Sequence, residues 1–310
     1  MKIALDPTPF HHTHKLLDFP SVAAELGFKY LQMTPHPDFI PFFNHPKADD
    51  ELVKKMAKAC KDAGVEIASV LPVLRWSGPD EDAREAAVRY WKRAIQITVD
   101  LGVKTMNTEF SGRPEEAEES ERAFYRSMEE LVPIIEREGI EVLIDPHPDD
   151  FVEDGLQAIR TIRGINSKNF GLVYVASHSF HMNQPPLEIM RTAGDMLRLV
   201  HVSDTMDHKR SNGLRYITNP PGNPVRVHQH LKIGDGDVNW TEFFSGLKEI
   251  GFLDNPKSVM CSSVFAENET SKETARYRIE PPTKSYCEKN WMPILDMPFH
   301  YVKWTNPTEV

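Results

Sequence analysis

Seven of the 13 histidines fall between His147 and His230. Imidazole titrates near neutral pH and commonly ligates divalent metals, so this concentration points to proton transfer or a metal centre. Asp145-Pro146-His147-Pro148 closes the apolar run Val142-Leu143-Ile144. On a strand, side chains two residues apart face one side, which puts a carboxylate beside an imidazole. In His201-Val202-Ser203-Asp204, the aspartate could fix the tautomer of a ligating histidine. His228-Gln229-His230 places two imidazoles on one side of an extended segment, a geometry that suits a metal. Arg215 and Arg226 flank the stiff run Asn219-Pro220-Pro221-Gly222-Asn223-Pro224 and could offer guanidinium donors to a polyhydroxylated or anionic ligand. Glu109 reads as a base, as an acceptor for a sugar hydroxyl, or as a buried polar strand end. Each group has a structural alternative as well: a polar turn at Asp145, a strand-end histidine at His201, a solvated loop around the arginines.

These residues need a frame that brings them together. The 310 residues, 35.4 kDa, suit one α/β barrel of about 250 residues with insertions. Short β-branched runs alternate with helical patterns. Strands are expected at Lys2–Leu5, Tyr30–Thr34, Ile67–Leu71, Lys104–Glu109, Glu141–Asp145, Gly171–Val175, Leu199–Val202 and Ser258–Ser263. Between them, helices are expected over 20–27, 49–64, 80–102, 115–139, 151–162, 186–197 and 240–251. Many end on glycine, as at Gly27, Gly64, Gly102, Gly139 and Gly251, where a left-handed cap stops the helix.

Eight such units predict a (β/α)8 TIM barrel, with a long loop after strand seven and an irregular C-terminal extension. A doubly wound sheet is the alternative, but Pro7-Thr8-Pro9 follows strand one in place of a glycine-rich phosphate loop. The expected domains are a barrel over 1–267 and an extension over 268–310 that packs on the barrel or on a partner chain. Barrel chemistry gathers at the C-terminal strand ends. Those ends hand over Asp6, His36, Asp38, Glu109, Asp145, His147, His178, His181, His201 and Asp204, and the long loop adds Arg215, Arg226, His228 and His230.

The composition removes several function classes. A net charge of −10 argues against nucleic acid or an anionic membrane as a default partner. No apolar run reaches the ~18 residues of a membrane span, and the N-terminus reads as no signal peptide. Three scattered cysteines make no disulfide framework and fit a reducing cytoplasm.

Several segments resemble the xylose-isomerase-like TIM barrels, the sugar phosphate isomerase/epimerase superfamily, from Met1 to about Glu267. They include Met106-Asn107-Thr108-Glu109-Phe110, the run Asp145 to Phe151, Ser177-His178-Ser179-Phe180-His181-Met182 and His201 through Asp204. The most specific run goes from Gly213-Leu214-Arg215-Tyr216 to Arg226-Val227-His228-Gln229-His230 and Gly234-Asp235-Gly236. Within the superfamily the likeness is strongest to proteins of inositol catabolism.

The resemblance implies a divalent metal held by Glu, Asp, His and Glu from strands five to eight. Here Asp145 stands for the first Glu, Val175 for the Asp, and Val259-Met260-Cys261-Ser262 offers no final carboxylate; His178 and His201 match histidines of the pattern. A related endonuclease branch ligates a further zinc through residues matching His178, His228 and His230. Zinc, manganese or iron is therefore expected among Asp145, His178, His201, His228 and His230.

The resemblance further implies proton transfer beside a carbonyl of a keto-sugar or inosose. His147 would act as base or acid, with Glu109 as its partner on the opposite face. Arg215, Arg226, His181 and Asp6 would bind substrate. Isomerisation or epimerisation is the first expectation. The second is elimination from 3-keto-glycosides, as in the catalytic subunits of C-glycoside deglycosidases, which work with a smaller subunit. The third is a non-catalytic binding protein on a decayed barrel. A homo-oligomer or a complex with a smaller subunit is expected.

Overall fold

Eight parallel strands close on themselves, each paired with its sequence neighbours and the last with the first. The computed structural model describes residues 1–182, 185–205 and 230–262 and, past these, only the backbone pairing of four two-residue strands. The strands are β1 Lys2–Leu5, β2 Tyr30–Met33, β3 Glu66–Val70, β4 Thr105–Glu109, β5 Glu141–Asp145, β6 Phe170–Val175, β7 Leu197–Val202 and β8 Val259–Ser262. The helices are α1 Phe19–Glu25, α2 Asp50–Ala63, α3 Glu81–Asp100, α4 Ala117–Glu138, α5 Gly155–Gly164, α6 Ala176–Ser179, α7 Pro186–Ala193 and α8 Trp240–Glu249. This is a (β/α)8 TIM barrel, and the closed ring of strands rules out the doubly wound sheet.

Local chemistry explains the element ends. Asp49 and Asp80 cap α2 and α3, accepting the Leu52 and Ala83 N–H at 2.8 Å each. Gly64 and Gly139 stop α2 and α4 in the left-handed conformation, at φ 68° and 63°. The layer between barrel and helices is aromatic and aliphatic, with Trp76 stacked on Trp91 at 4.2 Å and Phe124 edge-on to Trp76. Inside the barrel, Ala4, Leu143, Val173, Val175, Leu199 and Val259 pack together. Because both strand faces are buried, the strands read as nearly continuous apolar runs.

Most element ends lie within two residues of the sequence expectation; two helix ends and one added helix depart further. The helix expected from Phe151 starts at Gly155, because Asp154 caps it by accepting the Gln157 N–H at 2.6 Å. The helix expected to reach Leu197 ends at Ala193, since Gly194 turns to φ 52° and Leu197 already belongs to β7. A one-turn helix, α6, follows β6 directly, and it carries His178.

The chain divides into two compact units. One comprises residues 1–205 and 229–266 and holds the barrel. The other comprises 206–228 and 267–310; in it Met292–Pro293 pairs with Tyr301–Val302 and Trp304–Thr305 with Thr308–Glu309. The packing expected of the C-terminal aromatic side chains lies outside the described residues. Among the described residues, no helix is long and apolar enough to cross a membrane.

Candidate active site

β4 and β5 are in register so that Glu109 sits beside Asp145. Both therefore leave their strands at the C-terminal rim, and His147 follows two residues later. The His147 Nδ1 lies 2.6 Å from the Pro148 carbonyl oxygen. A carbonyl only accepts, so Nδ1 carries the proton and, in the neutral ring, Nε2 holds the lone pair. That Nε2 faces Glu109 Oε1 at 3.8 Å, and both side chains are about one quarter exposed. An imidazole with a fixed tautomer and a carboxylate thus stand together within reach of a ligand.

Glu109 was expected on the opposite substrate face from His147. A separation of 3.8 Å leaves no space for a carbon between them. The two groups stand side by side at the ends of adjacent strands.

Asp145 is buried. Desolvation first, then the neighbouring Glu109 and Asp150 charges, push its carboxyl well above the usual range. Its Oδ2 lies 3.1 Å from Nδ1 of His178. The His178 ring is 4.5 Å from that of His147 and 5.5 Å from that of His230, edge-on in both cases. His230 is carried there by the returning chain, which pairs Leu231 with Asp204 through two backbone hydrogen bonds of 2.8 Å. His181 belongs to a short 3-10 helix, Phe180–Met182, and its side chain lies outside the described residues. Arg215, Arg226 and His228 also lie outside them.

Two expected roles change. Asp204 does not serve His201. It is fully buried and accepts N–H bonds from Thr205, Gly234, Val238 and the Trp240 indole, at 2.8–3.1 Å. It fastens the returning chain to the end of β7. Asp6, expected to bind substrate, is buried and accepts the Thr8 N–H at 2.8 Å. Burial raises its carboxyl.

Below the rim lies a polar floor. His201 Nε2 is 3.1 Å from Nε2 of Gln32. The amide can only donate there, so the imidazole accepts and carries its proton on Nδ1. Desolvation, with His230 adding to it, pushes His201 down to about 3, so the ring is neutral. The same amide nitrogen faces Asn107 Oδ1 at 3.0 Å and Ser69 Oγ at 3.1 Å, and Cys261 Sγ faces Gln32 Oε1 at 3.5 Å. Gln32, Ser69 and Cys261 were not foreseen as part of the site, and Asn107 only as part of a family motif. The available signal was a polar residue in the middle of each short apolar strand.

The donor set can be tested against a metal. Among the described residues, no group of three or more His, Cys, Asp or Glu side chains is arranged to hold one. Val175 packs into the barrel interior, burial raises the Cys261 thiol, and the His201 lone pair faces the Gln32 amide. Of the expected set, the structure brings the His178 and His230 rings together, with Asp145 at His178. The third imidazole of the expected set, His228, lies outside the described residues.

A family model described as xylose isomerase-like TIM barrel matches residues 20–279. An uncharacterized protein of Methanocaldococcus jannaschii is 26% identical over 133 residues, 41% of this chain and 39% of that protein. The chain thus matches about two-fifths of that relative's length. Among solved structures, D-psicose 3-epimerase of Clostridium cellulolyticum H10 aligns with a TM-score of 0.66 at 16% identity, covering 85% of each chain. The IolI protein, solved with a zinc atom, gives 0.64 at 20% identity over 86% of this chain and 89% of that one. A probable 3-DHS dehydratase, AsbF of Bacillus anthracis, gives 0.62 at 14% identity over 86% and 94%. At these identities the structures attest the shared fold, while the family match spans most of the sequence. The chain belongs to the xylose isomerase-like TIM barrel family.

Proposed function

We propose that the barrel catalyses proton transfer at the carbon beside the carbonyl of a keto-sugar or inosose. The observation that carries this reading is the His147–Glu109 pair at the rim, with its fixed tautomer and 3.8 Å spacing. Nε2 of His147 removes the C–H proton, and the bonding pair moves onto the carbonyl oxygen to give an enediolate. Glu109 stabilises the imidazolium, whose Nε2 proton exchanges with solvent at this quarter-exposed rim before a proton is returned. A single base working on one face delivers a proton to the former carbonyl carbon while the neighbouring hydroxyl proton passes to the former carbonyl oxygen, leaving the carbonyl on the adjacent carbon; this favours isomerisation over epimerisation.

The neutral floor of Gln32, Asn107 and His201 suits hydroxyl groups. Arg215, Arg226 and His181 are proposed to hold further substrate oxygens. A divalent ion bound by His178, His230 and His228 would polarise the carbonyl oxygen. The resemblance read from the run Gly213 to Gly236, to the inositol-catabolism protein IolH, is the support for an inosose as the ketone. The buried free thiols of Cys60 and Cys261 fit work in a reducing compartment, the cytoplasm.

A second reading has its own observation. The Asp145 carboxyl, raised by burial, could protonate a leaving group after the same proton removal. That would be β-elimination from a 3-keto-glycoside, with a smaller subunit as partner. One experiment separates the readings. Incubation with inososes and keto-sugars, followed by NMR, should give an isomer with no loss of carbon or aglycone. Aglycone release from a 3-keto-glycoside would support the elimination instead. Neither product would contradict both and leave a binding protein.

A further inference from the structure

We propose that Asp150 is the positioning residue of the Glu109–His147 pair, a role that rests on the acid–base reading above. Glu109 ends β4 and His147 follows β5, so their spacing depends on how the two outgoing loops are tied. Asp150 ties them. It is 4% exposed. Its carboxylate accepts the Ser111 N–H at 2.5 Å and the Gly112 N–H at 2.7 Å, two and three residues past Glu109. It also accepts the Phe151 N–H at 2.7 Å. On its own loop, the Asp150 N–H donates to the His147 carbonyl at 3.1 Å, and the His147 N–H donates to the Val152 carbonyl at 3.3 Å. One carboxylate therefore reaches from the turn that holds the imidazole to the backbone leaving the other catalytic group.

The backbone around this clamp is adapted to it. Ser111 and Asp149 take φ values of 57° and 66°, a region that non-glycine residues seldom occupy. A Cβ at Gly112 would lie 2.3 Å from Cδ1 of Phe151 and 2.8 Å from Cβ of Ser120. The loops therefore meet closely only because glycine stands there. Phe151 packs edge-on against Phe110 at 5.6 Å and joins the loops from the apolar side.

Only a carboxylate satisfies this arrangement. Both oxygens accept, one from Ser111 and the other from Gly112 and Phe151. An amide would turn an NH2 group towards a backbone N–H at one of the two positions. Burial pushes the Asp150 carboxyl up to about 6, the backbone donors oppose that rise, and the Glu109 charge adds to it. A buried carboxylate beside two others is a costly device for a turn, and its placement across the pair accounts for it.

The test is a coupling measurement on the full chain by NMR of labelled histidine. In the unmodified protein, Glu109→Gln should change the imidazole shifts of His147. In an Asp150→Asn background that response should fall by at least threefold. On a substrate that turns over, Asp150→Asn should lower kcat tenfold or more with KM within about threefold. An undiminished His147 response to Glu109→Gln in the Asp150→Asn background would overturn the proposal. If Asp150→Asn fails to fold, Asp150→Glu, which keeps the charge but displaces both oxygens, should show the same loss of coupling, and full coupling there would equally overturn it. The coupling needs no turnover. If no ketone reacts but the coupling depends on Asp150, the catalytic reading fails and the positioning role stands.

Discussion

The His147 Nε2 lies 3.8 Å from the Glu109 carboxylate, while its Nδ1 is held 2.6 Å from the Pro148 carbonyl oxygen. That division of the ring's two nitrogens leaves Nε2 as the basic atom of the neutral ring. Replacing it with asparagine keeps a polar side chain and removes the base. Turnover should drop by about 10²-fold, measured as kcat on the reactive ketone. Unchanged turnover would take His147 out of the mechanism.

His178 and His230 are neighbours, and Asp145 holds the first through Nδ1. Protein purified without added metal or chelator should carry a divalent ion by elemental analysis, and His178→Ala and His230→Ala should each lose it. Protein that is metal-free and takes up none on addition would contradict the three-imidazole set.

His201 gives a signed pH dependence. Its folded value of about 3 lies below the ordinary 6.5. Between those values the unfolded chain binds more protons, so stability rises with pH and is lost as pH falls below about 6.5. Going from pH 7.5 to 5 should cost about 2 kcal/mol from this residue alone. Urea unfolding of the unmodified protein and His201→Gln at both pH values checks this. The variant should lose less stability over that interval, and equal losses would contradict the buried neutral state.

Asp204 accepts from four donors, and Gly236 packs so closely that a Cβ there would lie 2.3 Å from Asp204 Oδ1. Asp204→Ala should therefore destabilise the protein by about 3 kcal/mol or more, read from denaturant midpoints. A loss below about 1 kcal/mol would show that the returning chain is held by other means.

Much of the frame is legible in the sequence. The glycine stops at Gly64 and Gly139, the aspartate caps and the apolar strands are local signals, and they placed the eight strands. The rim residues followed from counting strand ends. The floor did not. Gln32, Ser69 and Asn107 sit in strands buried on both faces, so alternation gives no rule for which polar side chain turns inward. The partnership of His201 was misread for a related reason. Asp204 is three residues away in sequence, but its carboxylate serves Gly234, Val238 and Trp240, some 30 residues on. Gln32, from the opposite end of the chain, takes the imidazole. The short helix α6 was missed because one helical turn carries too few residues for periodicity to show.

Solvent deuterium exchange tests the central claim most directly. The protein is incubated with a reactive inosose or keto-sugar in D2O, and the substrate and product carbons beside the carbonyl are read by NMR. The account predicts deuterium at those carbons, slowed about 10²-fold in His147→Asn and clearly reduced in Glu109→Gln. Conversion of the ketone without any exchange, or exchange at full rate in His147→Asn, would contradict it.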